Sequence, residues 1–304
     1  MANPMPIEAK AAAHVETASL GDYVQLLKPR IILLLVITAY CAMVVAAHGL
    51  PPFFLSLYAM LGLALSAGGA HAVNMWYDRD IDALMARTQD RPVPQGRVPA
   101  TRSLAIGIAL MAISFVLLLV TVNLLTALLA LGGFLYYVLI YTMWLKRSTP
   151  QNIVIGGGAG AFPPLIGWAA VTGQVGLAAV LMFLIIFLWT PPHFWALALY
   201  RQEDYRRAGV PMMPVVRGER STKLQMISYA ALLLIASAAL YFTGVVGAFY
   251  FAVAIALSVG FLALTLLLLS ERAPETKLAK RTFGYSLLYL TVLFAAMVLN
   301  VRAF

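Results

Sequence analysis

The chain has 304 residues, of which 62% are hydrophobic and 11% are charged. A water-soluble domain needs more polar surface, so this composition excludes a soluble protein and predicts an integral protein surrounded by membrane lipid. The net charge of +9 would indicate nucleic acid in a soluble protein, but basic loops beside a membrane explain it here, and no nucleic-acid partner is expected.

Residues 1–22 are polar and rich in alanine, and we predict a disordered cytoplasmic tail there, followed by one transmembrane domain over residues 23–304. Apolar stretches of about 18 to 25 residues then recur, a length that crosses a bilayer as a helix. The predicted fold is therefore all-α, a polytopic membrane protein with nine transmembrane helices. The predicted spans cover 29–48, 52–74, 103–121, 124–145, 152–172, 175–199, 224–243, 246–269 and 282–302.

The basic residues orient these spans. Twenty of the 21 lysines and arginines lie before or at the start of the first span, as Arg30 does, or after the even-numbered spans, and only Arg302 falls on the other side. The positive-inside rule then places the N-terminus in the cytoplasm and the C-terminus on the opposite side. All 12 acidic residues also fall on the predicted cytoplasmic side, which indicates that chemistry is concentrated there.

The second span ends in AHAVNMWYDRDID, where Asn74, Asp78 and Asp82 are spaced four residues apart. If the helix continues, these side chains form one stripe, because residues i and i+4 are neighbours on a helix. Two carboxylates at this spacing repel unless a cation is present, and hard oxygen ligands suit Mg²⁺ shared with substrate phosphates. We therefore predict a Mg²⁺ site; the alternative is a solvated acidic helix end balanced by arginines.

A diphosphate-bearing metal beside an apolar interior indicates a substrate with a charged head and a hydrocarbon tail. Isoprenyl diphosphates fit this description. The metal would neutralise the departing diphosphate, and the apolar cavity would keep water away from the allylic carbocation.

Four sequence blocks carry a resemblance to a known family: NMWYDRDIDALMARTQDRPVPQGR, LKRSTPQNIVIGGGAGAFPPLIGW, WTPPHFWALALY and DYRRAGVPMMPVVRG. The pattern N-x-x-x-D-x-x-x-D after the second span, in a nine-span protein, resembles the UbiA superfamily of intramembrane prenyltransferases. The four blocks in this order are similar to the heme farnesyltransferases within it, from about Lys28 to the C-terminus.

The resemblance implies a bacterial inner-membrane enzyme whose helices surround a central cavity. It implies transfer of a farnesyl group from farnesyl diphosphate to a vinyl group of heme b, which gives heme O and diphosphate. It also implies one firm Mg²⁺ site, with a second site open, and contacts with a heme a synthase or oxidase assembly proteins.

The segment YRQEDYRRAGVP follows span 6, where the superfamily often carries a second motif of the form D-x-x-x-D. Arg201 and Tyr205 stand in the two aligned positions here, and both are kept as substrate-binding candidates. Asp204 is then either a ligand of a second metal ion or the partner of an arginine that binds diphosphate. A capping or salt-bridge role at a helix end is the alternative.

Basic and amide side chains near this face are candidates for holding the diphosphate. Lys146 and Arg147 end span 4 and Asn152 opens span 5, and the family pattern implies catalytic roles for the first two. Arg87 and Arg91 follow the acidic segment and are placed to fold over the head group. Arginine suits bidentate phosphate binding, although cations at a helix end are also ordinary topology signals.

The sequence WTPPHFW places His193 inside span 6 after two prolines. An ionisable residue within a span is a functional candidate; imidazole can ligate heme iron, and Trp195 can pack on the macrocycle. The alternative is a histidine bonded to backbone freed by the prolines. His71 lies one turn before Asn74 and is the second candidate, either for iron or for diphosphate.

Span 5 contains the pattern Gly156-x-x-x-Gly160, which is typical of close helix packing in membranes. Pro163 and Pro164 follow in the same span and are predicted to kink the helix and widen a cavity.

Two other functions compete with this interpretation. The first is a UbiA-type prenyltransferase that acts on an aromatic quinone precursor or chlorophyllide. The second is a membrane transporter, which would place charged residues near the bilayer midplane and carry inverted repeats.

Overall fold

The computed structural model describes residues 18–272 and 274–301, so most of the predicted tail and Arg302 lie outside the described residues. Within this part of the chain, nine helices are long and apolar enough to cross a membrane, which confirms the predicted all-α fold. We label them α1 to α9; they cover Pro29–Ala46, Phe53–Tyr77, Ala100–Thr121, Leu124–Ser148, Asn152–Thr172, Leu177–Tyr200, Gly218–Tyr241, Ala248–Ser270 and Lys277–Leu299. Shorter helices cover Leu20–Leu27, Arg79–Asp82, Gln202–Arg207 and Met213–Val216.

Several helices begin or end beyond the apolar run that predicted them. Helix α7 begins at Gly218 rather than at 224, and α9 begins at Lys277 rather than at 282. The extra turns carry lysine and arginine, which can continue a helix in water but lower the hydropathy used to predict a span. Sequence hydropathy therefore located the apolar part of these two helices rather than their full length.

The helix Leu20–Leu27 lies partly within the segment predicted as a tail, so the predicted boundary at residue 22 falls inside a helix. Ser19 caps its N-terminus in a reciprocal pair of hydrogen bonds with Asp22. The guanidinium of Arg97, 2.8 Å from the Asp22 carboxylate, lowers the pKa of Asp22 to about 2. This ion pair ties the helix to the segment between α2 and α3.

Six of the nine transmembrane helices in the described part of the chain surround a central cavity. Helix α9 packs against α1, so the last span closes the ring that the first one begins. The cavity has a volume of about 430 Å³ and is lined by α1, α2, α4, α5, α6 and α9, whereas α3, α7 and α8 lie outside it. Apolar side chains such as Val120 and Phe249 are more than half exposed on the outer surface, as lipid contact requires.

Two of the cavity-lining helices are irregular. Residues Tyr136–Leu145 of α4 form a π-helix, a wider coil that is frequent at functional sites. Helix α5 is interrupted at Gly157 and then continues through Pro163 and Pro164 to Thr172. The interruption lies six residues before Pro163, and the kink expected at the prolines stays a prediction.

Glycines in α5 allow its neighbours to approach closely. A Cβ atom on Gly156 would lie 2.2 Å from the Tyr141 ring, which confirms that this glycine packs tightly. Gly160, its partner in the predicted pattern, has nothing within 4 Å of its Cβ position and lines the cavity instead. Gly167 makes the tightest contact, because its Cβ would lie 2.1 Å from the backbone oxygen of Ala39 on α1.

We expect Gly167→Ala to lower the free energy of unfolding by about 1–3 kcal/mol, because a methyl group there forces α5 away from α1. Gly160→Ala in the same helix is the matched control and should leave stability unchanged or raise it by up to about 1 kcal/mol through helix propensity. Thermal unfolding of both variants in detergent checks this. Equal shifts in the two variants would contradict the close contact.

Candidate active site

The charged loops meet at one end of the bundle, which we call the charged face. Arg87, in the segment after α2, lies over the ring of Tyr205, in the segment after α6. Lys280 at the start of α9 lies over the ring of Tyr200, and Lys223 of α7 donates to the backbone oxygen of Glu271. These contacts connect three of the four inter-helix segments that the charge pattern assigned to the same side, and Lys146 brings the fourth, between α4 and α5, to Asp78.

Asn74, Asp78 and Asp82 lie together at the cavity mouth on this face, and each is at most 2% exposed. The backbone remains helical across the end of α2, since the amide of Asp78 bonds to Asn74 and that of Asp82 bonds to Asp78. The side-chain amide of Asn74 donates to the Asp78 carboxylate at 2.7 Å. The predicted stripe is therefore present in the structure.

Each member of the stripe is held by a basic residue. Lys146, at the end of α4, donates to Asp78, and Arg91 donates to Asp82. Lys28 donates to the side-chain oxygen of Asn74 at 2.8 Å.

Lys28 joins the helix Leu20–Leu27 to α1 in a left-handed conformation, with φ 55° and ψ 62°. Such a backbone is costly for a lysine and persists where the surroundings enforce it. Desolvation, and then the positive charge of Arg91, lower the pKa of Lys28 well below its ordinary value. A basic side chain is therefore held inside the cavity mouth, at a position that the sequence indicated only as a topology signal.

The remaining predicted cations occupy different positions around the mouth. Arg87 and Arg91 line the cavity, as do Lys146 and Lys28. Arg147 instead turns outward, where both of its terminal nitrogens lie 2.7 Å from Asp80 and lower the pKa of that carboxyl to about 2. A weaker contact of 3.4 Å links Arg147 to Asp78.

Asn152 lies buried behind the mouth rather than in the cavity lining. Its side-chain nitrogen reaches the backbone oxygen of Lys146 at 3.4 Å, and its side-chain oxygen has no hydrogen-bond partner among the described residues. It therefore supports the turn that presents Lys146.

The segment after α6 brings Tyr205, but not Asp204, to the cavity. Tyr205 is 4% exposed and lines the cavity, and burial raises its pKa. Asp204 pairs with Arg207 at 3.0 Å and lies 3.8 Å from Arg201, so its carboxylate is held by its own short helix. Neither Arg201 nor Asp204 is among the cavity-lining residues.

His193 lines the cavity in an aromatic sandwich. Its ring stacks on Trp189 with centroids 4.1 Å apart and on Phe283 at 4.7 Å, while Phe194 meets it edge-on. The alternative prediction was a histidine hydrogen-bonded to backbone groups that the prolines leave unpaired. In the structure, Nδ1 has a different partner, the hydroxyl of Ser286 at 2.7 Å.

The other two predicted acceptor-binding residues differ from each other. His71 lines the cavity next to Tyr137, and neither of its ring nitrogens has a hydrogen-bond partner among the described residues. Trp195 is fully buried outside the cavity, where it packs edge-on against Tyr229. The structure thus does not bring Trp195 to the cavity, because it lies on the other side of α6 from His193.

The donor set at the mouth fits a hard divalent cation. Asn74 and Asp82 line the cavity, and Asp78 adjoins them. No described residue donates to Oδ1 of Asp82, so one carboxylate oxygen is free to face a cation. Within the described part of the chain, no group of three or more histidine, cysteine, aspartate or glutamate side chains forms a complete metal site. Mg²⁺ suits such an incomplete protein ligand set, because it keeps waters and shares substrate phosphates.

Four residues at the mouth were not predicted as site residues. Lys28 and Arg30 line the cavity, and the sequence pattern Lys-Pro-Arg before the first span was their only signal. Thr142 accepts a hydrogen bond of 3.1 Å from Asn74, and Tyr141 lines the cavity. Both lie in the π-helix, which hydropathy does not reveal.

Comparison with known proteins gives consistent results. The UbiA prenyltransferase family model matches residues 35–299. A protoheme IX farnesyltransferase of Symbiobacterium thermophilum is 61% identical over 92% of this chain and 94% of its own length. A second, from a Roseiflexus species, is 51% identical over 92% of this chain, which spans about half, 52%, of that relative.

Solved structures share the fold at lower identity. A digeranylgeranylglyceryl phosphate synthase is 18% identical with a TM-score of 0.78, and the match covers 92% of this chain and 98% of that one. A UbiA homolog from Archaeoglobus fulgidus bound to GPP and Mg²⁺ is 19% identical with a TM-score of 0.65, and the match covers 91% and 99% of the two chains.

We expect Asp78→Asn to lower the free energy of unfolding by about 3 kcal/mol, because removing one partner leaves the other charge unpaired in a buried position. The double variant Asp78→Asn/Lys146→Met should recover part of this loss. Asp80→Asn is the control, since that carboxylate is 60% exposed and should change stability by less than about 1 kcal/mol. Thermal unfolding in detergent checks all three, and equal losses for Asp78→Asn and Asp80→Asn would contradict the role of burial.

Proposed function

Because this chain belongs to the UbiA prenyltransferase family, we propose that it transfers a farnesyl group from farnesyl diphosphate to a vinyl group of heme b. The observation that carries the proposal is 61% identity, over nearly the whole of both chains, to a protoheme IX farnesyltransferase. A cavity with a basic mouth and an apolar interior supports it, since the donor has an anionic head and a hydrocarbon tail.

The leaving diphosphate would bind at the cavity mouth. Five basic side chains line it and match the negative charge of this group: Lys28, Arg30, Arg87, Arg91 and Lys146. In the proposal, Asn74, Asp78 and Asp82 hold Mg²⁺, which neutralises the leaving group when bound. The UbiA homolog that binds GPP and Mg²⁺ supports at least one such ion. A second ion through Asp204 has less support, because that carboxylate is paired with arginines outside the cavity lining.

The reaction proceeds by loss of diphosphate from C1 of the farnesyl chain. The C–O bond breaks with its electron pair on the diphosphate, and the allylic cation at C1 bonds to the terminal vinyl carbon of heme b. The positive charge then lies on the carbon next to the porphyrin ring, where water adds and loses a proton. The products are heme O and diphosphate, and the cavity's apolar lining excludes water from the first cation.

The acceptor would lie against α6 and α9. His193 presents an imidazole to the cavity from within a span, and imidazole nitrogen is a ligand for heme iron. His71 lies nearer the charged mouth, one turn before Asn74, and is assigned here to the diphosphate end of the cavity.

We place the protein in the bacterial inner membrane, with the charged face and the N-terminus in the cytoplasm and the C-terminus on the opposite side. The charge distribution supports this orientation, since both substrates would then enter from the side that carries the basic loops. Contact with a heme a synthase or oxidase assembly proteins stays a prediction from the resemblance.

Substitution at the proposed metal ligands should slow turnover strongly. With purified protein, Mg²⁺, farnesyl diphosphate and heme b, we expect Asp78→Asn and Asp82→Asn to slow heme O formation by at least about a hundredfold, because the charge that develops on the leaving group is no longer neutralised. Asp90→Asn is the matched control, an exposed carboxylate in the same loop that does not line the cavity.

The same assay separates the rival acceptors. Wild-type protein should convert heme b and leave 4-hydroxybenzoate unchanged. Product from 4-hydroxybenzoate alone would refute heme as the acceptor, and full activity of both aspartate variants would refute the metal–diphosphate site.

Orientation is testable by thiol labelling, because the natural Cys41 is buried. Arg220 lies at the charged face and Gln174 at the opposite end, and both are exposed. In intact spheroplasts, a membrane-impermeant maleimide should label Gln174→Cys but not Arg220→Cys, and it should label both after lysis. Labelling of Arg220→Cys alone before lysis would reverse the topology.

A further inference from the structure

The hydroxyl of Ser286 on α9 connects to His193 on α6 across the cavity wall. Its oxygen lies 2.7 Å from Nδ1 of His193 and 2.6 Å from the backbone oxygen of Phe283. Ser286 is fully buried, and no role in the reaction described above depends on it. The inference drawn from this contact rests on the proposed heme acceptor.

The single proton of the Ser286 hydroxyl determines which ring nitrogen of His193 carries a hydrogen. A hydroxyl has one proton, and Ser286 must give it to the Phe283 carbonyl, which can only accept. Toward His193 the serine oxygen is therefore the acceptor, so Nδ1 is the donor and carries a hydrogen. A neutral imidazole protonated at Nδ1 has its free lone pair on Nε2.

The surroundings of the ring leave only that nitrogen for a ligand. One face of His193 is covered by Trp189 and the other by Phe283, with interplanar angles of 18° and 24°. A porphyrin therefore cannot stack on either face of the imidazole. His193 lines the cavity, and no described residue hydrogen-bonds to Nε2.

The backbone at Ser286 is held in place from the same helix that carries His193. The indole nitrogen of Trp189 donates to the Ser286 backbone oxygen at 2.8 Å. Trp189 and His193 lie four residues apart, on the same turn of α6. Trp189 contacts the backbone oxygen of Ser286, and His193 contacts its hydroxyl. This double contact fixes both the height and the rotation of the imidazole.

We propose that Ser286 is a positioning residue that holds His193 as the Nδ1-protonated tautomer and thereby presents the Nε2 lone pair to the iron of heme b. Metal-ligating histidines commonly donate their second ring nitrogen to an acceptor, and losing such an acceptor typically weakens metal binding by about 10–100-fold. The acceptor here is a hydroxyl whose own proton is already committed, so it cannot reverse its role.

The test is a titration of full-length protein in detergent with ferric heme b, followed by absorption spectroscopy. We expect His193→Ala to lose the spectrum of histidine-ligated heme and Ser286→Ala to weaken heme binding by about tenfold. Ser286→Thr keeps the hydroxyl and should retain the wild-type spectrum. Ser258→Ala is the matched control, because it removes another buried hydroxyl, one that contacts Tyr289 rather than His193.

Iron-free protoporphyrin IX separates ligation from general damage to the cavity. It should bind wild type and Ser286→Ala equally, because it offers no metal to His193. The inference is overturned if Ser286→Ala keeps wild-type heme affinity and spectrum, or if it loses protoporphyrin and heme binding to the same extent. If wild-type protein forms heme O and Ser286→Ala binds heme normally, the positioning role of Ser286 is refuted and the proposed function stands. If wild-type protein binds no heme, both the positioning role and the proposed function are refuted.

Discussion

The carboxylate of Asp78 has no exposed surface, and a buried charge of this kind is tolerated only when it is paired. Its partners arrive from different parts of the chain: Asn74 from its own helix, Lys146 from the end of α4 and, through Asn74, Lys28 from the start of α1. Because Lys146 and Lys28 reach the end of α2 from the end of α4 and the start of α1, the network sets the relative heights of these three helices. The cavity mouth follows from that alignment.

The π-helix in α4 explains how one helix can supply both the wall and the mouth of the cavity. Tyr137 and Lys146 both line the cavity, although they lie nine residues apart. At 3.6 residues per turn, nine residues make about two and a half turns and would place these side chains on opposite faces. The wider turn of a π-helix, roughly four and a half residues, makes nine residues close to two turns and returns Lys146 to the face of Tyr137.

The difference between regular α-helix and the π-helix in α4 also explains which features the sequence could predict. Hydropathy and loop charge depend on composition along the chain, so they located the spans. The spacing of four residues on a regular helix located the Asn74–Asp82 stripe. These patterns carry no information on the rotation of an irregular helix, and Thr142 and Tyr141 were therefore missed. Trp195 is a different kind of error, since it follows His193 by two residues and an α-helix turns about 200° over that distance. This spacing predicts that Trp195 points away from the cavity when His193 points into it, and the structure places Trp195 outside the cavity lining.

Polar groups in the depth of the cavity are arranged so that they bind little water. The lining hydroxyls of Thr38, Ser66 and Thr190 each donate to a backbone oxygen within or between helices, at distances of 2.7–3.0 Å. An ordered water needs two to four polar partners, and hydroxyls whose protons are already used offer few. In the proposed reaction, an allylic cation that lies in this apolar depth therefore meets the acceptor's vinyl carbon rather than water. Water is needed only after the carbon–carbon bond has formed, and the basic mouth, where the Arg91 side chain is 27% exposed, is the route by which it would arrive.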